Sequence, residues 1–272
     1  MRADLHMHSQ YSDGKFTNEE VFQIAKQNQV DLICITNHDT INGLDEMKDL
    51  SNKYGIKCIY GVELSTFRNG ESVHILGYFK DNNYDQPELR DFLVQLKKNR
   101  DIRCINIFKK LKEYYNIDID CSSLVNKNAV ITRGHIGKLI SKHLNISRQE
   151  VFEKYLAEGR KCYLPSGDLA TKDGIELLKR NNCISVLAHP VLLKHNKIED
   201  IVELGVDGLE CFYPYNQVSD TRKNIDIAEK YNILVTAGSD FHGPIDSKHN
   251  TIGYCYITDN DINKLLEKLN IK

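Results

Sequence analysis

Short apolar runs alternate along this chain with stretches whose apolar residues recur every third or fourth position. Residues 3–8, 32–36, 57–61, 73–78, 184–188, 208–212 and 234–237 are strand-like, rich in Ile, Val, Leu and Cys. Between most of them lie helix-like segments at 17–28, 43–54, 171–181, 198–204 and 221–231. The first opens on Thr17-Asn18-Glu19-Glu20, where Thr17 and Glu20 can satisfy each other's backbone N–H groups and start a helix. Strands alternating with helices predict an α/β fold of parallel strands and crossover helices. With about seven strands and no glycine-rich nucleotide fingerprint, a (β/α) barrel is favoured over a doubly wound sheet.

One stretch breaks the rhythm. From 86 to 160 no strand is evident, and Leu89, Phe92, Leu93 and Leu96, then Ile107, Phe108, Leu111 and Tyr115, fall at helical spacing. Two domains follow as an expectation: a barrel from 1–85 and 161–272, and a helical insertion at 86–160. Lys97, Lys98, Arg100, Arg103, Lys109, Lys110 and Lys112 crowd the insertion. Such charges usually form a solvated face, or they can hold an anionic substrate under a lid.

The ionisable residues sit at recurring places in this pattern. His6 and His8 are two apart at the end of the first run, so both rings share one face of a strand. His38 ends the second run, Glu63 follows the third, His74 lies within the fourth, His189 ends the fifth, and Asp240 and His242 follow the last. A lone His beside a strand is usually a solvated or hydrogen-bonded residue. Six apolar runs each carrying a metal-type ligand point instead to one cluster at the catalytic end of a barrel. Imidazole and carboxylate without thiolate suit Zn, Mn or Fe in a catalytic rather than structural site. Asp13, in Ser12-Asp13-Gly14, is by itself a turn former, placed close enough to the first strand to be a further ligand. His135, His143, His195 and His249 gain nothing from position alone.

Composition narrows the function. A formal net charge of −2 does not suit a protein that coats nucleic acid, though local nucleotide binding is compatible with it. The eight Cys form no CxxC pair, and Cys34, Cys58, Cys183 and Cys211 sit in apolar runs, so reduced structural thiols are expected. No apolar run is long enough for a membrane helix, and Met1-Arg2-Ala3-Asp4 does not open a signal peptide, so a cytoplasmic location is expected. No obligate protein partner is evident.

Together these segments resemble the PHP (polymerase and histidinol phosphatase) family. Asp4-Leu5-His6-Met7-His8-Ser9 with Ser12-Asp13-Gly14 resembles its opening motif, and Ile35-Thr36-Asn37-His38-Asp39-Thr40 its second. Gly61-Val62-Glu63, His74, Ala188-His189-Pro190 and Gly238-Ser239-Asp240-Phe241-His242-Gly243 resemble the later ones. Thr132-Arg133-Gly134-His135-Ile136 resembles a segment of the branch holding nucleotide phosphatases and 5′-to-3′ exoribonucleases. The resemblance implies a distorted (β/α)7 barrel with two to three divalent ions (Mn, Fe or Zn). It gives His6, His8, Glu63 and Asp240 to one ion, Asp13, His38 and His242 to a second, and Glu63, His74 and His189 to a third. The family usually has Asp where this chain has Asn37. An amide cannot carry the charge that raises a ligand's basicity, so metal affinity is where an effect is expected.

The expected reaction is phosphoester hydrolysis by metal-activated water, with Asp13, His38 and His242 at the catalytic centre. Arg133 and His135, with Arg100 and Arg103, would grip a phosphate. The expected substrates are 3′,5′-bisphosphates or short RNA. The alternatives are a histidinol-phosphate phosphatase and a non-catalytic metal-stabilised module.

Overall fold

The computed structural model describes residues 1–125, 130–164, 169–244 and 251–271. The chain divides into two compact units, Met1–Asp91 with Leu169–Lys272, and Phe92–Asp168.

The first unit is built on one seven-stranded sheet in chain order: β1 (Ala3–Met7), β2 (Leu32–Ile35), β3 (Lys57–Arg68), β4 (Glu71–Phe79), β5 (Cys183–Leu187), β6 (Gly208–Phe212) and β7 (Leu234–Ala237). Strands β1, β2 and β5 are buried along their whole length, as apolar runs covered on both faces must be. The sheet curls until β1 meets the residues after β7. There the His8 N–H donates to the Phe241 carbonyl at 2.8 Å and the Asp240 N–H to the His6 carbonyl at 2.8 Å.

Helices α1 (Asn18–Gln27) and α2 (Met47–Tyr54) connect β1, β2 and β3, which pair in parallel. Thr17 caps α1 as its sequence predicts, with Glu20 reaching back to the Thr17 N–H at 2.8 Å. The barrel core beneath the strands includes Leu5, Leu32, Ile59, Leu76, Tyr78 and Val186.

The expectation of parallel strands throughout fails at β4. It pairs antiparallel with both β3 and β5, and β3 runs on seven residues beyond Gly61 to reach it. The cause is local. Asn69 (φ +49°) and Gly70 (φ +79°) make a two-residue connection with both residues left-handed, the geometry an Asn-Gly pair accepts at little cost. A link that short allows only a hairpin, because a parallel return needs a crossover of about a dozen residues. Parallel pairing resumes from β5 to β7. The connecting helices there are α8 (Ile198–Val202) and α9 (Val218–Tyr231); α7 (Thr171–Arg180) leads into β5, and α10 (Asp259–Lys268) follows the sheet.

The second unit is helical. It holds most of α3 (Pro87–Tyr115), then α4 (Ser122–Val125), α5 (Arg133–Leu144) and α6 (Arg148–Val151). Its own core gathers Cys104, Ile107, Phe108 and Leu111 from α3 with Ile136 and Ile140 from α5 and Val151 from α6. No helix among the described residues is long and apolar enough to cross a membrane.

Candidate metal centre

All nine residues that the sequence singles out as ligands converge in the first unit, and Glu63 touches five of them. Its Oε2 lies 3.2 Å from His6 Nε2, 3.1 Å from His8 Nε2 and 2.9 Å from His38 Nδ1. Its Oε1 lies 2.8 Å from His74 Nδ1 and 3.1 Å from His189 Nε2. Asp240 Oδ1 lies 3.4 Å from His6 Nε2 and 3.2 Å from His8 Nε2. Asp13 Oδ1 lies 3.1 Å from His242 Nε2. Among the described residues, three overlapping groups have the ligand-atom spacing of a metal site: His8, Asp13, His38 and His242; His6, His8, Glu63 and Asp240; and His38, Glu63 and His74. His8 and His38 thus each belong to two groups, and His189 joins the third through Glu63.

The hairpin explains how His74 arrives. Because β4 runs backwards, a residue near its beginning lies level with the ends of its neighbours, and His74 pairs in register with Ser65. Three residues at strand ends take left-handed backbone: Asp39 (φ +50°), His189 (φ +29°) and Asp240 (φ +49°). Each costs on the order of 1 kcal/mol, which the surroundings offset. Asp39 accepts from the Ser65 N–H and hydroxyl at 2.8 and 2.7 Å, and the His189 N–H donates to Glu210 Oε2 at 2.6 Å.

Electrostatics follow from packing carboxylates against imidazoles out of water. Burial would raise Glu63, but His38, His6 and His74 hold it well below the carboxylate range. Burial likewise opposes the shift at Asp240, which His6 and His8 hold well below its usual value. Burial would lower His38, yet Glu63 and Asp13 lift it to about 10. His6 is raised well above its usual value, because Glu210, Glu63 and Asp240 outweigh its burial. His8 goes the other way, lowered by burial and by the nearby His242 and His38.

The residues fit divalent metal. Glu63 Oε2, His38 Nδ1 and Asp13 Oδ1 are buried and make no hydrogen bond, although ring nitrogens and carboxylate oxygens crowd within 4 Å of them. Buried ligand atoms that crowd together without hydrogen bonds are an arrangement that a bound cation would satisfy. The donors are imidazole nitrogen and carboxylate oxygen. All eight Cys are free thiols.

Around this cluster stand further residues, of which Glu210 and Tyr213 were not singled out from the sequence. Glu210 on β6 is fully buried, and its Oε1 lies 3.0 Å from His6 Nδ1, an orientation that fixes the ring and raises its basicity. An acid within the apolar run Gly208-Leu209-Glu210-Cys211-Phe212 was the available signal, since acids are almost never fully buried without a partner. The Tyr213 hydroxyl donates to Asp240 Oδ2 at 2.9 Å. Asp4, buried and pushed up to about 6 by burial, accepts from the Ser239 and Gly253 N–H groups. Asn37 Oδ1 accepts from the Ser9 N–H and the Ser12 hydroxyl, both at 2.9 Å, and Ser12 Oγ lies 3.4 Å from His8 Nδ1. Asn37 therefore reaches the cluster through one serine.

Gly238 admits no side chain. A Cβ there would sit 2.1 Å from His6 Cβ, 2.5 Å from Glu210 Oε1 and 3.0 Å from His6 Cα. Gly238→Ala is expected to cost about 3 kcal/mol by overpacking and to displace His6. Urea unfolding checks the first effect and metal content the second.

The remaining predicted residues belong to the second unit. Arg133 lies 5.6 Å over the Tyr163 ring, and Arg103 Nε donates to the Leu164 carbonyl at 3.0 Å, so α5 and α3 meet the same dipeptide. The His135 side chain accepts the Thr132 N–H at 3.2 Å, closing the cap of α5. Arg100 is half-buried on α3. His249 lies outside the described residues.

Comparisons place this arrangement among known proteins. The PHP domain profile matches residues 4–164. A phosphoribosyl 1,2-cyclic phosphate 1,2-diphosphodiesterase of Eggerthella lenta is 28% identical over 89% of this chain and 95% of its own length. A 5′-3′ exoribonuclease of Haemophilus influenzae is 28% identical over 89% of this chain and 90% of its own. A 3′,5′-nucleoside bisphosphate phosphatase of Chromobacterium violaceum is 27% identical over 89% of this chain and 87% of its own. Among solved structures, a candidate metal-dependent phosphoesterase of Bifidobacterium adolescentis superposes with a TM-score of 0.82 at 24% identity, covering 98% of this chain and 96% of its own. A Chromobacterium violaceum protein described as an amidohydrolase, with bound sulfate and no metal, gives 0.81 at 25% identity, covering 99% and 97%. The chain therefore belongs to the PHP domain family and is a hydrolase acting on phosphoester bonds, with a side-chain cluster suited to divalent metal.

Proposed function

We propose that the protein hydrolyses phosphate esters of nucleotides, either 3′,5′-bisphosphates or the 5′ ends of short RNA, using two to three Mn, Fe or Zn ions. The observation that carries this reading is the single buried carboxylate of Glu63 in contact with five imidazoles. His6, His8, Glu63 and Asp240 would hold one ion, Asp13, His38 and His242 a second, and Glu63, His74 and His189 a third. Metal held there supplies Lewis acidity, lowering the pKa of water and offsetting charge on the phosphate.

The chain's own side chains divide the remaining work. His6, His8 and Glu63 are sealed from solvent, whereas Asp13 and His242 retain 23% and 16% exposure. Asp13, His38 and His242 are thus assigned to the side where phosphate enters and reacts. Glu210 and Tyr213 keep His6 and Asp240 oriented. The bound sulfate of the Chromobacterium violaceum structure, an oxyanion of phosphate-like shape, favours the same chemistry.

Arg133 and His135, with Arg100 and Arg103, are assigned to hold a second phosphate of the substrate. The planar guanidinium of Arg133 can bind phosphate through two parallel N–H groups, so Arg133→Ala is expected to raise KM roughly tenfold with kcat little changed. Steady-state kinetics on a 3′,5′-bisphosphate check this, and an unchanged KM removes Arg133 from the role.

The deciding assay measures phosphate and nucleotide release with Mn²⁺ or Fe²⁺ supplied. Its substrates are 3′-phosphoadenosine 5′-phosphate, a short 5′-phosphorylated RNA, a ribose 1,2-cyclic phosphate and histidinol phosphate. Turnover of either of the first two, lost in Asp13→Ala/His38→Ala, supports the reading. Turnover of the cyclic ester or histidinol phosphate alone overturns it.

A further inference from the structure

Beside the metal-type cluster, the first unit contains a cavity of about 550 Å³ that no step above uses. Its wall begins at Pro190 and Val191, directly after His189, and continues through Leu193 to Lys197, Ile198 and Glu199 at the start of α8. The opposite wall is the first two turns of α9, with Asp220, Lys223 and Asn224. Both helices follow strands that carry residues of the cluster or its support, His189 just after β5 and Glu210 within β6. The cavity therefore opens on the end of the barrel where the chemistry is placed.

Three observations mark it as a site rather than a packing fault. Asn224 is only 2% exposed, yet its Nδ2 is buried with no hydrogen-bond partner. A buried amide left unpaired forfeits about 1–3 kcal/mol, and Asn224 is one of the residues lining this cavity. Lys197 and Lys223 line the same space, and neither makes an ion pair among the described residues. The wall is also held in advance of any ligand. The Glu71 carboxylate at the tip of the β3–β4 hairpin accepts from the backbone N–H groups of Lys194, His195 and Asn196 and from Asn196 Nδ2.

The lining combines three chemistries. Pro190, Val191, Leu193 and Ile198 offer an apolar surface for a planar ring. Lys197, Lys223 and Asn224 Nδ2 are donors for anionic oxygens, and Glu199 can accept from an amino group or a ribose hydroxyl. The Asp220 carboxylate is partly occupied, accepting the Gln217 N–H at 2.9 Å through Oδ2. A bare phosphate would leave the apolar wall unused, and a purely apolar ligand would leave the two ammonium groups unused. A nucleotide uses all three.

We infer that this cavity is a subsite for the nucleotide next to the one being hydrolysed, so that the enzyme acts on chains longer than a single nucleotide. The inference rests on the nucleotide reading above and adds a length preference to it. The lysines hold the following phosphate, the apolar wall receives the base, and Asn224 donates to the sugar–phosphate oxygens.

The test compares two substrates on the metal-loaded enzyme, 3′-phosphoadenosine 5′-phosphate and a 5′-phosphorylated pentaribonucleotide. Lys197→Ala/Lys223→Ala removes two charge-assisted contacts and is expected to raise KM for the pentanucleotide by about tenfold or more, leaving KM for the bisphosphate and both kcat values unchanged. Asn224→Leu, similar in size without the donor, should shift the same KM in the same direction. Equal changes on both substrates, or none on either, overturn the subsite. If the wild-type enzyme hydrolyses neither substrate, the functional reading has failed, and the cavity is then judged by fluorescence anisotropy of a dye-labelled 5′-phosphorylated pentaribonucleotide. Weaker binding to the lysine double variant than to wild type upholds the subsite, and equal binding overturns it.

Discussion

Glu63→Gln is expected to strip the protein of metal and lower hydrolysis by at least about a thousandfold while the fold persists. A thousandfold corresponds to about 4 kcal/mol of lost transition-state stabilisation. The substitution keeps the shape of the side chain and removes its charge. Five imidazoles approach this carboxylate through its two oxygens, so one change weakens every group of ligands that shares it. The new amide nitrogen also faces ring nitrogens where a lone pair stood. Elemental analysis of the purified variant, circular dichroism and phosphate release read the three outcomes separately. Full metal content with activity within tenfold of wild type would show that Glu63 is not the shared ligand.

Metal loading should depend steeply on pH. In the metal-free protein Glu63 and Asp13 hold His38 at about 10 and so keep its ring protonated at neutral pH. A ligand must lose its proton before it can coordinate, so each displaced proton makes apparent affinity rise about tenfold per pH unit until the ring's own pKa is passed. Between pH 6 and 9 this amounts to about a thousandfold for His38 alone. Isothermal titration of Mn²⁺ in buffers of different ionisation enthalpy gives both the affinity and the protons released. A pH-independent affinity would refute the protonated ring.

The linked effect on stability has the opposite sign. The folded-state pKa of His38 lies above the ordinary imidazole value of 6.5, so its pairing with the two carboxylates contributes fully below about 6.5 and is lost as pH climbs towards 10. Without metal the protein should therefore unfold more easily at pH 9 than at pH 6.

Much of this site could be read from the sequence because ligand positions are tied to hydrophobic runs. His6, His8, His38, His189, Asp240 and His242 stand where apolar strands end, and the sheet gathers those ends. The order of the strands follows for the same reason. What escaped depended on signals of other kinds. The reversal of β4 is decided by Asn69-Gly70, a pair whose meaning is conformational and leaves no mark on hydrophobic periodicity. Glu210 was legible as an acid in an apolar run, but its function appears only when β6 lies beside β5 and β7. Tyr213 carries no residue-level signal at all, since it acts through a partner more than 25 residues away.

The hydrogen bonds between β1 and the residues after β7 have a consequence for how the protein responds to metal scarcity. His6, His8 and Asp240 lie on both sides of that joint, so whatever they bind clasps the first strand to the last and stabilises the ring by mass action. Chelation should then loosen the ring there first, read as faster hydrogen exchange at the His8 and Asp240 amides than elsewhere in the sheet. A ring opened at one joint presents two unpaired strand edges, the surfaces through which proteins self-associate. Loss of metal thus becomes a question of solubility and turnover of the protein as well as of its catalysis.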